Sequence, residues 1–288
     1  MAIIGAGMVG TSLAVLLERA GHRIALVTGR QESRSRAAVH LPSAPFVPLG
    51  EVARPTRAAS VVVLGVPDDL ILATCADLAQ EGAFGPGQTV LHLSGSVSLD
   101  ALNAAEEAAA DVLSLHPLQS FPDVERGIER LPGSPVAVTA RDERTSAVGE
   151  ALARDVGGVP FRLDDQIKPL YHAAAVFCSN YLVAVEGMAE HLFHLAGLEA
   201  PVPMFAPLAR AALDASLSRG PRAALTGPAA RGDVGTIARN LGALAGYAPE
   251  AIESYLALAG VAARLAAEDG RLSEEDLRGL EEVLARWR

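Results

Sequence analysis

The chain has 288 residues, half of them hydrophobic and 20% charged, with a formal net charge of −10. That is enough apolar material for one large core or two ordinary ones, which excludes intrinsic disorder. The acidic balance argues against a nucleic-acid partner and against docking on an anionic membrane, since both need clustered Lys and Arg. No run of about 18 apolar residues escapes a charge or a helix breaker, so no transmembrane helix is expected. The first ten residues lack the basic lead of a signal peptide. Cys75 and Cys178 are the only cysteines, too few for a disulfide scaffold or a thiolate metal site. No His/Asp/Glu cluster has ligand spacing, so no metal is expected, and a cytoplasmic setting is the expectation.

Along the chain, β-branched runs first alternate with Ala- and Leu-rich stretches, the pattern of a parallel sheet covered by helices. Strands are predicted at 2–4, 24–27, 61–65, 89–93, 112–115, 136–138 and 160–163, with helices at 9–20, 69–79, 98–110 and 146–156. The Pro-rich segment 42–55 reads as an irregular connection. Beyond Leu163 no strand-like run remains, and helices are predicted over 166–196, 204–219, 235–244, 248–268 and 274–286. The expected organisation is an α/β domain at 1–164, with a doubly wound and mostly parallel sheet, followed by an all-helical domain at 165–288.

Gly5-Ala6-Gly7-Met8-Val9-Gly10 follows the first strand and opens the first helix. In that context Gly5 permits a tight turn, Gly7 lets backbone approach a pyrophosphate, and Gly10 lets helix and strand pack closely. The helix N-terminus offers unpaired N–H groups to phosphate. The second strand ends at Thr28 and Arg30, with Ser33, Arg34 and Arg36 beyond, where an NAD-specific fold carries a carboxylate. Arginine clamps a 2′-phosphate, so the reading is NADP, a solvated basic loop being the alternative. Val66 and Pro67 close the third strand and Ser94 the fourth, all at the end where such sheets bind ligands; Asp68 or Asp69 is expected to cap the next helix.

His116 ends a further strand before Pro117, where an imidazole would address a carbonyl or be held by backbone groups. Lys168, His172 and Ser179 fall at spacings of four and seven, one helical face, with Asn180 at its edge. Lys168 is the only lysine among 24 basic residues. A buried ammonium can lose its proton or serve as a point charge on an oxyanion, and a guanidinium cannot. Exposed polar residues at a helix start are the other reading. The segment 225–236 breaks the helical texture; Thr226, Arg231 and Asp233 there suit a substrate loop or a capped turn equally. Cys178, among apolar neighbours, is expected to fill core.

Together GAGMVG (5–10), VPDD (66–69), HLSG (92–95), SLHPLQSF (114–121), KPLYHAAAVFCSNY (168–181) and LTGPAARGD (225–233) resemble the Rossmann-like plus DUF2520 proteins, within the 6-phosphogluconate dehydrogenase-like group of two-domain oxidoreductases. The resemblance spans essentially the whole chain. It implies an NADP-binding first domain, a helical second domain that builds a homodimer, and His116, Lys168, His172, Asn180 and the 226–233 loop around a cleft. The related β-hydroxyacid dehydrogenases use a Lys and an Asn four residues apart; here His172 holds the second position and Asn comes at 180. The expected function is NADP(H)-dependent oxidation or reduction of a small carbonyl, imine or hydroxy compound. The alternatives are a prephenate dehydrogenase-like enzyme, from the His-Pro turn, and a non-catalytic NADP-binding sensor.

Overall fold

The β-branched runs at the centre of the sheet become strands because their side chains can be buried on both faces. The computed structural model describes residues 1–287, and the strands are β1 (Ala2–Ile4), β2 (Leu26–Thr28), β3 (Val61–Leu64), β4 (Thr89–His92), β5 (Asp111–Pro117), β6 (Pro135–Ala140) and β7 (Val159–Arg162). They form one sheet in the order β2-β1-β3-β4-β5-β6-β7. Strands β1 to β5 run parallel, β6 lies antiparallel to β5, and β7 is parallel to β6. The period of two divides their side chains between two cores. Ile3, Val63, Leu91 and Leu113 pack with Leu13 and Leu17 on one face; Ile4, Val62, Leu64 and Val90 pack with Ile71, Leu78 and Leu102 on the other. The chain leaves β1 toward β2 and then returns past it to β3. That reversal opens a crevice at the carboxyl ends of β1 and β3.

The helices of five or more residues between strands are α1 (Met8–Arg19), α2 (Gln31–His40), α3 (Ile71–Gln80), α4 (Asn103–Glu107), α5 (Val124–Arg130) and α6 (Glu143–Asp155). Two of them correct the sequence reading. The basic stretch after β2 is α2 rather than a loop, and only Ala37 of it is buried, so it carried no apolar stripe to read. Helix α5 starts at Asp123, whose carboxylate accepts from Arg126 N at 2.7 Å. The expected helix 98–110 is a 3-10 turn, Leu99–Leu102, followed by the short α4.

The predicted helix 166–196 is interrupted. It begins as a 3-10 turn, Asp165–Ile167, continues as α7 (Lys168–Cys178), and resumes after Ser179 as α8 (Asn180–Leu195). Ser179 Oγ donates to Ala175 O at 3.1 Å and lies 2.9 Å from the Asn180 side-chain amide. A hydroxyl on the carbonyl four residues back bends a helix. The compact units divide here, Met1–Asn180 and the remainder from Tyr181, so α7 packs with the sheet unit although the texture of the sequence changes at 164–165. The second unit consists of α8, α9 (Pro201–Arg219), α10 (Val234–Tyr247), α11 (Ile252–Glu268) and α12 (Glu274–Ala285) plus single turns. Its core is Ile237 and Leu241 of α10 against Leu256 and Ala263 of α11 and Leu280 and Leu284 of α12. Among the described residues no helix is long and apolar enough to cross a membrane.

Candidate functional site

The glycine loop is built from β2 and β3 outward. Gly5 N and Ala6 N donate to Thr28 O at 2.9 and 3.3 Å, and Arg36 Nη1 donates to Ala6 O at 2.6 Å. Gly5 has φ +89°, and a Cβ there would lie 2.7 Å from Val66 Cγ1; a Cβ on Gly10 would lie 2.9 Å from Gly5 O. Protein packing thus accounts for both glycines. It does not account for Gly7, whose added Cβ meets nothing nearer than Gly65 O at 3.6 Å and whose φ of −71° suits any residue. A glycine left unexplained by its own fold, at the N-terminus of a 12-residue helix, fits a loop that a phosphate group approaches closely. Thr11 N makes the first bond into α1, to Gly7 O, so the N–H groups of Met8, Val9 and Gly10 are the open ones. Arg30 is the exposed N-cap of α2, and Arg34 lies over the Phe46 ring at 5.8 Å.

At the ends of β3 and β4, the Asp68 carboxylate accepts from Ser94 Oγ at 2.6 Å and Ser96 Oγ at 3.1 Å. It therefore braces the loop after β4 rather than capping the following turn, which has no side-chain cap. The same loop is tied to the start of α7, because Asp165 accepts from Ser98 Oγ at 2.6 Å and from Leu99 N at 3.0 Å.

Lys168, the first residue of α7, is 1% exposed. Its Nζ donates to Ser114 Oγ of β5 at 2.5 Å and to Ser94 O at 3.2 Å. Burial lowers this ammonium's pKa to about 8, against the opposing pull of Asp165 and Asp68. His92, fully buried, takes Ser94 N on its Nδ1 at 3.2 Å. Burial, then the Lys168 charge, pushes its pKa down to about 3. His116 is held at about 4 by burial, then by His172 and Lys168. Its Nδ1 lies 3.0 Å from Tyr171 Oη, and its ring meets Tyr171 and His172 edge-on. Burial raises the Tyr171 phenol to about 12.

A cavity of about 220 Å³ within this unit is lined by His116, Gln119, Ser120, His172, Cys178, Ser179 and Asn180. The structure so brings together four of the predicted residues, His116, His172, Ser179 and Asn180. It separates Lys168 from them: the expected shared face is corrected, since Lys168 turns inward to β4 and β5 while His172 and Ser179 face the cavity. Thr28 is likewise corrected; its side chain is buried in the core and its carbonyl holds the glycine loop. Cys178 is exposed, not a core filler. In the helical unit Asp233 caps α10, accepting from Thr236 N at 3.0 Å and Thr236 Oγ1 at 2.8 Å. Thr226 and Arg231 line a separate hollow of about 410 Å³ with Arg271. Tyr171, Ser114 and Asp165 were not singled out in the sequence; the adjacency of Tyr171 to His172 on one turn was the available signal. Among the described residues no group of three or more His, Cys, Asp or Glu could hold a metal ion.

Two family models match the chain, a Rossmann-like domain over residues 1–117 and a domain of unknown function, DUF2520, over residues 134–261. The chain thus carries a Rossmann-like domain followed by a DUF2520 domain. No curated protein matches it. Among solved structures it is similar to a Bacteroides fragilis protein assigned as an NADP oxidoreductase (24% identity, TM-score 0.75, 91% of this chain and 97% of that one). A Thermotoga maritima protein gives 22% identity and a TM-score of 0.69 over 94% and 99%. A reductive aminase from Aspergillus terreus in complex with NADPH and ethyl levulinate gives 17% and 0.60 over 99% and 92%. At these identities the likeness is one of fold.

Proposed function

We propose that this protein is an NADP(H)-dependent oxidoreductase acting on a small carbonyl, imine or hydroxy compound. The observation that carries the reading is the row of groups along the carboxyl ends of β1, β3, β4 and β5. A glycine that the surrounding packing does not require stands at one end and the His116–Tyr171–His172 cluster at the other. The fold shared with an aminase that holds NADPH and a keto ester supports it. The cofactor would supply or accept hydride. Met8, Val9 and Gly10 would give N–H groups to its pyrophosphate beside Gly5, Ala6 and Gly7. Arg30 would pair with the 2′-phosphate, and Val66, Pro67 and Ser94 would flank the nicotinamide.

In this reading His116 and His172 face the reacting oxygen or nitrogen, while Ser179 and Asn180 orient the substrate. Lys168 acts from below, through Ser94 and Ser114. In the helical unit, Arg231 would take an anionic group in its own hollow, with Thr226 and Arg271 beside it. Two free cysteines support action in the cytoplasm, and the uncovered apolar helices of the second unit support a homodimer.

The test is calorimetric titration with NADPH and NADH in separate runs. NADPH is expected to bind more tightly, and Arg30→Ala to lose about tenfold in NADPH affinity with NADH unchanged, the worth of one charge-assisted hydrogen bond. Equal binding of the two would remove the NADP assignment. No binding of either would remove the oxidoreductase reading. Binding without turnover across a carbonyl, imine and hydroxy-acid panel, followed by NADPH absorbance, would leave the sensor.

A further inference from the structure

We propose that Tyr171 is a positioning residue that fixes His116 as its Nε2–H tautomer, so that the site presents a hydrogen-bond donor to a substrate whose reacting atom is an acceptor, a ketone oxygen or a neutral imine nitrogen. The inference deepens the function proposed above and rests on it for the word substrate; the tautomer itself stands on geometry. Nδ1 and Tyr171 Oη are 3.0 Å apart, and that is the only hydrogen bond the structure gives either group. A phenol carries one proton that needs an acceptor. If Tyr171 donates to Nδ1, that proton is used and Nε2–H is left to the cavity, where water or ligand can take it. If Nδ1–H donated instead, the half-buried phenol proton would have no acceptor among the described residues and would fall back on water.

The Gly95 backbone sets the plane of the ring, and the 3.0 Å contact sets which nitrogen meets Tyr171. A Cβ on Gly95 would sit 2.8 Å from Cε1 and Nε2 and 2.9 Å from Cδ2, so the imidazole lies flat against the Gly95 backbone. Tyr171 is itself held by the edge of Phe161, with ring centroids 5.9 Å apart. Both partners are neutral at physiological pH. Burial lowers His116 to about 4 and raises Tyr171 to about 12. A neutral imidazole has two tautomers to choose between, and a phenol with its proton is the donor that makes the choice. An Nε2–H donor complements a lone pair and opposes the N–H of a protonated iminium.

The experiment is long-range ¹H–¹⁵N correlation NMR of the ¹⁵N-histidine protein between about pH 6 and 8, where a free imidazole would titrate. No cofactor or substrate is added, so the result does not depend on whether NADPH binds. His116→Gln assigns the resonance. A protonated Nε2 and unprotonated Nδ1 are expected. In Tyr171→Phe, which keeps the ring contacts with His116 and Phe161, the tautomer ratio is expected to fall by about fivefold or more. A protonated Nδ1 in the unsubstituted protein would overturn the proposal, as would a folded Tyr171→Phe whose tautomer ratio is unchanged.

Discussion

Lys168 shows how much one side chain can carry without meeting a ligand. A chain that uses arginine at every other basic position keeps lysine where Nζ must fit between Ser94 O and Ser114 Oγ, inside the sheet. A planar guanidinium with five donors does not fit a two-acceptor slot. Burying this charge is unfavourable, since the folded pKa of about 8 stands below the ordinary 10.5. Between those two values the unfolded chain binds the proton and the folded one does not. Stability therefore rises as pH climbs from about 8 to 10.5, by about 3 kcal/mol in all. Lys168→Met is expected to be as stable as the unsubstituted protein at pH 7, within about 1 kcal/mol, and to lack that alkaline gain. Its turnover should fall by about 10²-fold, because the Ser94–Gly95 turn against His116 loses its anchor. Chemical denaturation at pH 7 and pH 10 measures the first effect. An identical pH dependence in the two proteins would mean that the ammonium is not buried as described.

Among elements, the loop between β1 and α1 separates glycines that the packing requires from one that it does not. Gly10→Ala brings a Cβ to 2.9 Å from Gly5 O and should destabilise the protein by about 1–3 kcal/mol. Gly7→Ala meets no such contact and should cost only the N-cap preference of glycine over alanine, no more than about 1 kcal/mol, while weakening NADPH binding at least tenfold, which is about 1.4 kcal/mol. Thermal unfolding beside titration separates the two. A Gly7→Ala protein that binds NADPH normally would leave Gly7 without a role. The loop was legible in the sequence, as were the strands, because a glycine pattern and runs such as Val61-Val62-Val63-Leu64 each answer to one local rule. Helix α2 was not, since QESRSRAAVH buries only Ala37 and has no periodicity to detect. The break at Ser179 was hidden because apolar residues continue on both sides of it. Lys168 was singled out in the sequence as the one lysine, and helical spacing placed it on one face with His172 and Ser179. Only the tertiary position of Ser94 and Ser114, 74 and 54 residues away, turns it inward.

At the scale of the whole molecule, the second unit leaves apolar surface that its own core does not use. No residue of α8 is buried, and in α9 only Pro201 is, although both helices are rich in Val, Leu and Ala. Val183 is 71% exposed, Leu208 71% and Leu217 77%. Helices that were apolar and uncovered in a monomer would gain little from packing and would invite association. A second copy of the chain is the partner that the proposed homodimer supplies, with the same patch on each side of a twofold axis. Sedimentation equilibrium at about 10 µM should then give twice the chain mass, and the melting temperature should rise with protein concentration. Charging the face by the pair Leu208→Glu and Leu217→Glu should yield a monomer with a lower melting temperature. That variant should bind NADPH as the unsubstituted protein does under the proposed function, because Gly7 and Arg30 belong to the other compact unit. A concentration-independent monomer for the unsubstituted protein would mean that these helices are covered by something other than a copy of themselves.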